Sequence, residues 1–260
     1  MSGHSKWSQI KRQKGAADIK RGAVFSKLTN AVILAAKNGG DPNANFQLKM
    51  AIEKARAASM PKENIDRAIK RGTGVLGGAK IEEVLYEGIG PSGIGVLIEA
   101  ATDNRNRTSS KVKSILSSYG GKLAGSGAVT YQFEKMGKFL IDLAGKNQEE
   151  LELRIIDAGA SDFEEQEDVL AVYTKPNELE IVKKAIESQG IEIREPTLTW
   201  EPKNMINISN KSDADKILKL MEILDNLDDV TAIYSNFDLS TTLEVYAERS
   251  RSAGIPKETR

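Results

Sequence analysis

The 260-residue chain is 40% hydrophobic, enough to bury more than one core, so two or three domains are expected. It has no cysteine, which excludes disulfides, thiolate metal sites and cysteine nucleophiles. No run approaches the ~18 to 20 apolar residues of a membrane span, and Met1-Ser2-Gly3-His4-Ser5-Lys6 has no apolar stretch like that of a secretory signal, so a cytoplasmic location is expected. The 37 basic residues balance 37 acidic ones but are segregated: residues 1–75 carry 15 Lys/Arg against 5 Asp/Glu, and residues 136–202 carry 7 against 16. Such asymmetry points to a polyanion-binding end and a solvated or phosphate-repelling end.

Residues 1–16 offer only Trp7 and Ile10 as large apolar groups, too few to offset backbone ordering, and read as a mobile basic arm. From about Asp18, Phe25, Leu28, Val32 and Ala35 recur at helical spacing until Gly39-Gly40. A second helix is expected over 45–58 on Leu48, Ile52 and Ala55. A third, after Ser59-Met60-Pro61, rests on Ile65, Ala68 and Ile69 and ends at Gly72. Residues 72–78 read as a linker.

The periodicity then changes to two. Strands are expected at 81–87 and 94–101, followed by a helix on Val112, Ile115, Leu116 and Tyr119, with a further strand at 127–133. Strand 138–143, helix 148–158, strands 161–165 and 169–174, helix 178–189 and strand 191–200 form a β-α-β-β-α-β unit of the ferredoxin-like type. Asn147/Glu150 and Asn177/Glu180 read as its helix starts, Gly159 and Gly190 as its helix stops. Strand 205–209, a helix capped by Ser212 and Asp215, and strand 230–237 cannot make a domain alone, so they are expected to complete the sheet begun at residue 81. The fold class is therefore α+β: a three-helix domain over 1–75, a split α/β domain over 80–134 and 203–239, and an acidic ferredoxin-like domain over 135–202 inserted into it. Residues 240–260 read as a tail.

Gly3-His-Ser-Lys-Trp7, Lys20-Arg21, Phe25-Ser-Lys27, Gly40-Asp-Pro42, Met60-Pro61, Ile69-Lys-Arg-Gly72, Tyr86-Glu-Gly88, Asp103-Asn-Arg-Asn-Arg-Thr108 and Thr199-Trp-Glu-Pro202 together resemble the YebC/PmpR family over about residues 2–239. The resemblance implies three domains and a role in gene expression. Members of that family are commonly described as transcriptional regulators that bind DNA, while others, including the mitochondrial translational activator of cytochrome oxidase, act on translation at the ribosome. The tail after about residue 240 departs from the pattern.

The basic arm sets Lys6, Lys11, Arg12, Lys14, Lys20, Arg21 and Lys27 around Trp7 against a single acid, Asp18. Cations neutralise phosphates, and an indole can stack on an exposed base for about 1–3 kcal/mol. The competing reading is a solubilising tail with Trp7 docked on the helices. Arg105 and Arg107, with Lys111 and Lys113, open the helix after Asp103-Asn104, where unpaired amides already favour an anion. Alternatively Asp103 or Thr102 caps that helix and the arginines pair with the acidic domain. Gly88-Ile-Gly90-Pro-Ser-Gly93 has the letters of a dinucleotide-binding loop, but a strand follows where a helix is needed, so it reads as a turn. No Walker-type phosphate loop occurs.

His4, the only histidine, sits in the arm, which leaves little room for a metal site or a catalytic triad. The run Asp162, Glu164, Glu165, Glu167, Asp168 reads as the solvent face of a hairpin more readily than as a Mg²⁺ or acid/base cluster. The expectation is a non-enzymatic nucleic-acid-binding regulator without catalytic residues, metal or cofactor. Ribosomal RNA or the ribosome is favoured over duplex DNA, because no defensible helix-turn-helix or heptad dimeriser is visible. A metal-dependent nuclease and a protein-binding adaptor whose acidic domain docks a basic partner stand as alternatives. No membrane partner is expected, and the oligomeric state is not legible.

Overall fold

A computed structural model of the protein describes residues 21–78, 80–145, 147–166 and 168–239. These fall into two compact units, one formed by 24–81 with 133–201, the other by 82–132 with 202–239. The fold is α+β.

In the first unit, α1 (Arg21–Ala36), α2 (Phe46–Ala57) and α3 (Lys62–Gly72) follow in order. Their apolar stripes meet: Leu28, Val32 and Ile33 of α1, Leu48 and Ile52 of α2, and Ile65 and Ala68 of α3 are all buried. Asn45 joins the first two helices. Its side-chain amide donates to the carbonyls of Ala35 (2.7 Å) and Gly39 (2.8 Å), and its Oδ1 accepts the Leu48 amide hydrogen at 3.0 Å. At Gly72 α3 lies directly against α1, since a Cβ there would lie 2.4 Å from the Ile33 carbonyl oxygen and 2.6 Å from the Ala36 Cβ.

The same unit contains β4 (Phe133–Asp142), α5 (Gln148–Asp157), β5 (Asp162–Gln166), β6 (Val169–Thr174), α6 (Leu179–Glu187) and β7 (Arg194–Pro202); β1 to β3 and α4 belong to the second unit and are given below. The strand order β5-β6-β4-β7 interleaves two split β-α-β units, the ferredoxin-like arrangement expected. Phe139, Ile141, Leu170 and Val172 meet Leu151, Ile155, Leu179, Val182 and Ile186 in its core, and Phe46 and Met50 of α2 pack against that core. Asn147 caps α5 by accepting from the Glu150 amide. Asn177 does not cap α6: the residue preceding that helix is Glu178, and no side chain closes its N-terminus.

The second unit begins with β1 (Glu82–Ile89), β2 (Gly95–Thr102), α4 (Arg105–Ser118) and β3 (Lys122–Ala124). After the first unit's β4 to β7, it resumes with β8 (Ile206–Ile208), α7 (Lys211–Asp225), β9 (Val230–Ser235) and β10 (Phe237–Leu239). One sheet runs β3-β1-β2-β9, with β1/β2, β1/β3 and β2/β9 antiparallel. Val96, Ile98 and Ala100 of β2 bury against Val112 and Leu116 of α4 and Ile217, Met221 and Leu224 of α7. The return of the chain after residue 202 thus completes the sheet through β9, but β8 pairs in parallel with β10 in a separate two-stranded sheet.

Several local expectations are corrected. Of the strand expected at 127–133, residues 127–132 are instead a loop and a 3-10 turn (Thr130–Gln132) and Phe133 opens β4, while β3 lies earlier in sequence. The physical reason is Glu87, whose buried carboxylate accepts the amides of Gly127 (2.6 Å), Val129 (2.6 Å) and Thr130 (2.8 Å) and so takes donors that a ladder would need. Strand 230–237 is interrupted at Asn236, whose side chain accepts from the Gly95 amide and donates to Gln132. The cap of α7 is Asn210, which accepts from the amides of Ser212 and Asp213; Ser212 and Asp215 are already inside the helix. Residues Pro91–Gly93 make a 3-10 turn and β2 follows, so the glycine-rich segment is a strand connection.

Candidate nucleic-acid interface

Lys6, Trp7, Lys11, Arg12, Lys14 and Lys20 lie outside the described residues, as do His4, the side chain of Arg21 and Glu167 of the acidic run. Lys27 is half-buried on α1. Beyond the arm, α2 and α3 expose Lys49, Lys54, Arg56, Lys62, Arg67 and Lys70 against the exposed acids Glu53, Glu63 and Asp66. The burial of one apolar stripe per helix forces these cations outward, so the basic bias of the sequence becomes a basic surface on this helical segment.

The second candidate is the start of α4. Asn104 is the cap: its side chain accepts the Arg107 amide at 3.0 Å, while Thr102 Oγ1 accepts the Asn104 amide at 3.0 Å. Neither Asp103 nor Thr102 caps the helix, as the sequence reading had allowed. Arg107 Nη2 instead donates to Asp103 Oδ1 (2.9 Å) and to both oxygens of Asp229 (3.3 and 3.2 Å), and Arg105 Nε pairs with Glu82 at 3.0 Å. The partners shown for both arginines are therefore carboxylates of their own unit. The bond to Asp229, then its charge, then Asp103, raise the Arg107 guanidinium above its ordinary range.

Behind these pairs, the buried Thr108 hydroxyl donates to Asp229 Oδ2 at 2.7 Å and lies 2.8 Å from the Thr102 hydroxyl. Tyr86 donates to the Arg105 carbonyl at 3.1 Å. Burial, with the nearby Asp229 charge, raises its phenol despite the opposing pull of Arg105. A pocket of about 280 Å³ opens here between Arg107, Thr108, Lys111, Leu227, Asp228 and Asp229. A phosphate approaching Arg107 there competes with Asp103 and Asp229 for the guanidinium.

In the acidic hairpin the described carboxylates accept from different neighbours. Glu164 accepts from Gln166 (2.7 Å) and Glu165 from Gln148 (3.1 Å), as expected of consecutive strand residues that point to opposite faces. Among the described residues no three His, Cys, Asp or Glu side chains are grouped so as to hold a metal. No helix among them is long and apolar enough to cross a membrane.

Residues 5–75 match the family model described as the TACO1/YebC protein N-terminal domain, and residues 81–237 match that of the TACO1/YebC second and third domain. A relative from Halothermothrix orenii, named "Probable transcriptional regulatory protein", is 45% identical over 242 residues, 92% of this chain and 96% of its own. One from Thermoanaerobacter pseudethanolicus with the same description is 46% identical over 241 residues, covering 92% and 98%. A crystal structure of a conserved hypothetical protein from Aquifex aeolicus superposes with a TM-score of 0.79 at 42% identity, covering 86% of this chain and 92% of that one. On its two matching domain models and these relatives, the chain belongs to the TACO1/YebC family.

Proposed function

We propose that the protein is a non-enzymatic nucleic-acid-binding regulator of gene expression that contacts phosphates through Lys6, Lys11, Arg12, Lys14, Lys20, Arg21 and Lys27 and stacks Trp7 on a base. Arg105 and Arg107 serve as secondary phosphate contacts. The observation that carries this reading is the exposed set Lys49, Lys54, Arg56, Lys62, Arg67 and Lys70, which continues the positive bias of the preceding residues across α2 and α3. The names of the relatives support a regulatory role. Ribosomal RNA is the favoured target, and the acidic unit orients the bound strand by repelling it.

Duplex DNA is the second reading, and one feature favours it. The α2–α3 connection spans only residues 58–61, with Ser59 in the left-handed region (φ 61°), the spacing of a helix-turn-helix in which α3 would be the recognition helix. Co-sedimentation of the purified protein with ribosomes, repeated after ribonuclease treatment, tests the choice. RNA-dependent co-sedimentation is expected. Persistence after ribonuclease indicates an adaptor contact with ribosomal protein, and binding to duplex DNA alone indicates the second reading.

A further inference from the structure

The second unit contains an open groove of about 850 Å³ lined by Ser118, Tyr119 and Gly120 at the end of α4 and by Lys211, Ser212, Asp215, Lys216 and Lys219 along α7. Ser212, Asp215, Lys216 and Lys219 stand at i, i+3, i+4 and i+7, one stripe of the helix. That stripe is solvent-facing because Ala214, Ile217, Met221 and Leu224 occupy the core side. Lys211, Lys216 and Lys219 are all exposed, and at 1.5 Å per residue Lys211 to Lys219 covers about 12 Å of helix. The opposite wall carries a half-buried aromatic, Tyr119, beside Gly120, whose missing side chain leaves open space.

We infer that this groove is a second binding track for the phosphodiester backbone of a single-stranded nucleic acid, resting on the nucleic-acid reading above. The Lys216 and Lys219 ammonium groups, with the charge of Lys211 beside them, supply positive charge for successive phosphates, the Ser212 hydroxyl supplies a hydrogen bond, and the Tyr119 ring supplies an apolar face for a base or sugar. Lys216 lies 3.9 Å from Asp213, a weak exposed pair that a phosphate can displace. Asp215 is the one lining carboxylate and opposes the strand. Its position makes the inference testable in both directions, since removing that charge should tighten binding.

The test uses the full chain, fluorescence anisotropy, and fluorescein-labelled twelve-nucleotide oligo-U RNA and oligo-T DNA over a salt series. Lys216→Gln with Lys219→Gln should make the slope of log affinity against log salt shallower by about 1.4, from about 0.7 per single-strand contact. Asp215→Asn should raise affinity several-fold at low salt. Both variants should melt with the wild type, because all three side chains are exposed. Equal effects on both probes assign backbone recognition, whereas an effect confined to RNA overturns the backbone track in favour of a contact to the 2′-hydroxyl. An unchanged slope in the double variant while the wild type binds overturns the groove alone. Failure of the wild type to bind either probe removes the nucleic-acid reading and the groove with it.

Discussion

Arg107 on α4 and Asp229, 122 residues later in the turn before β9, are joined by hydrogen bonds of 3.2 and 3.3 Å, and the same carboxylate accepts from the buried Thr108 hydroxyl. Asp229 therefore ties the start of α4 to the start of β9. Its side chain is only 18% exposed, so its loss removes a largely buried acceptor from Thr108, which keeps the Asn104 carbonyl at 3.2 Å, and leaves Arg107 with Asp103 alone. Asp229→Ala should lower stability by about 1.5–3 kcal/mol, the range for lost hydrogen bonds to a charged group, while Arg107→Gln, on the exposed side of the pair, should cost clearly less. Thermal melts of both variants check the order. Equal losses would contradict this account of the pair.

Glu87 predicts an acid limb. Burial alone would raise its carboxyl, yet the hydrogen bonds from the segment 127–130 hold it below its ordinary value of 4.5. A group whose folded value is depressed contributes stability that is fully present above the unfolded value and is lost as pH falls through the folded one. Glu87→Gln should destabilise the protein by about 1–3 kcal/mol at neutral pH, because the neutral amide cannot accept three backbone donors as the carboxylate does. The gap between variant and wild type should narrow below pH 4.5. Chemical denaturation at neutral and acid pH measures it, and a gap that stays constant with pH would show that the carboxylate is not the titrating latch.

Most helices and the ferredoxin-like unit were legible in the sequence because apolar spacing and capping residues agree there: Leu48, Ile52 and Ala55 after Asn45, Leu151 and Ile155 after Asn147. The cap readings at Asn177 and at Ser212/Asp215 failed locally, by one to a few residues, and the larger failures depended on partners far along the chain. Residues 127–133 look like a strand until Glu87 takes their amides, and 230–237 looks continuous until Asn236 turns to Gly95. Arg105 and Arg107 were legible as a charged helix start, but their carboxylate partners Glu82 and Asp229 were not. The groove of α7 escaped notice because its three lysines are interspersed with Asp213 and Asp215, which leaves a surplus of only one positive charge over residues 211–219.

Gly72 should tolerate no side chain. Gly72→Ala places a methyl group against the Ile33 carbonyl and Ala36, so α1 and α3 must separate, at a cost of about 1–3 kcal/mol. A variant as stable as the wild type would show that the crossing is looser than described.

The acidic insertion holds its own core, so we propose that residues 133–202 fold when excised. The fragment should melt cooperatively, at a lower temperature than in the full chain because Phe46 and Met50 no longer cover its core. Phe46→Ala in the full chain should reproduce part of that loss. A fragment without a cooperative transition would place the α2 contacts among the requirements for folding.

The central claim is that the basic N-terminal residues hold nucleic acid through phosphates, and the salt dependence of binding tests it most directly. If about five arm cations contact phosphates, replacing Lys6, Lys11, Arg12, Lys14 and Lys20 by Gln should remove about 3.5 from the slope of log affinity against log salt on single strands. The melting temperature should stay nearly unchanged, and Trp7→Ala should weaken binding by about 1–3 kcal/mol with the slope preserved. An arm-neutralised protein that binds RNA and DNA with the wild-type affinity and slope would contradict the account.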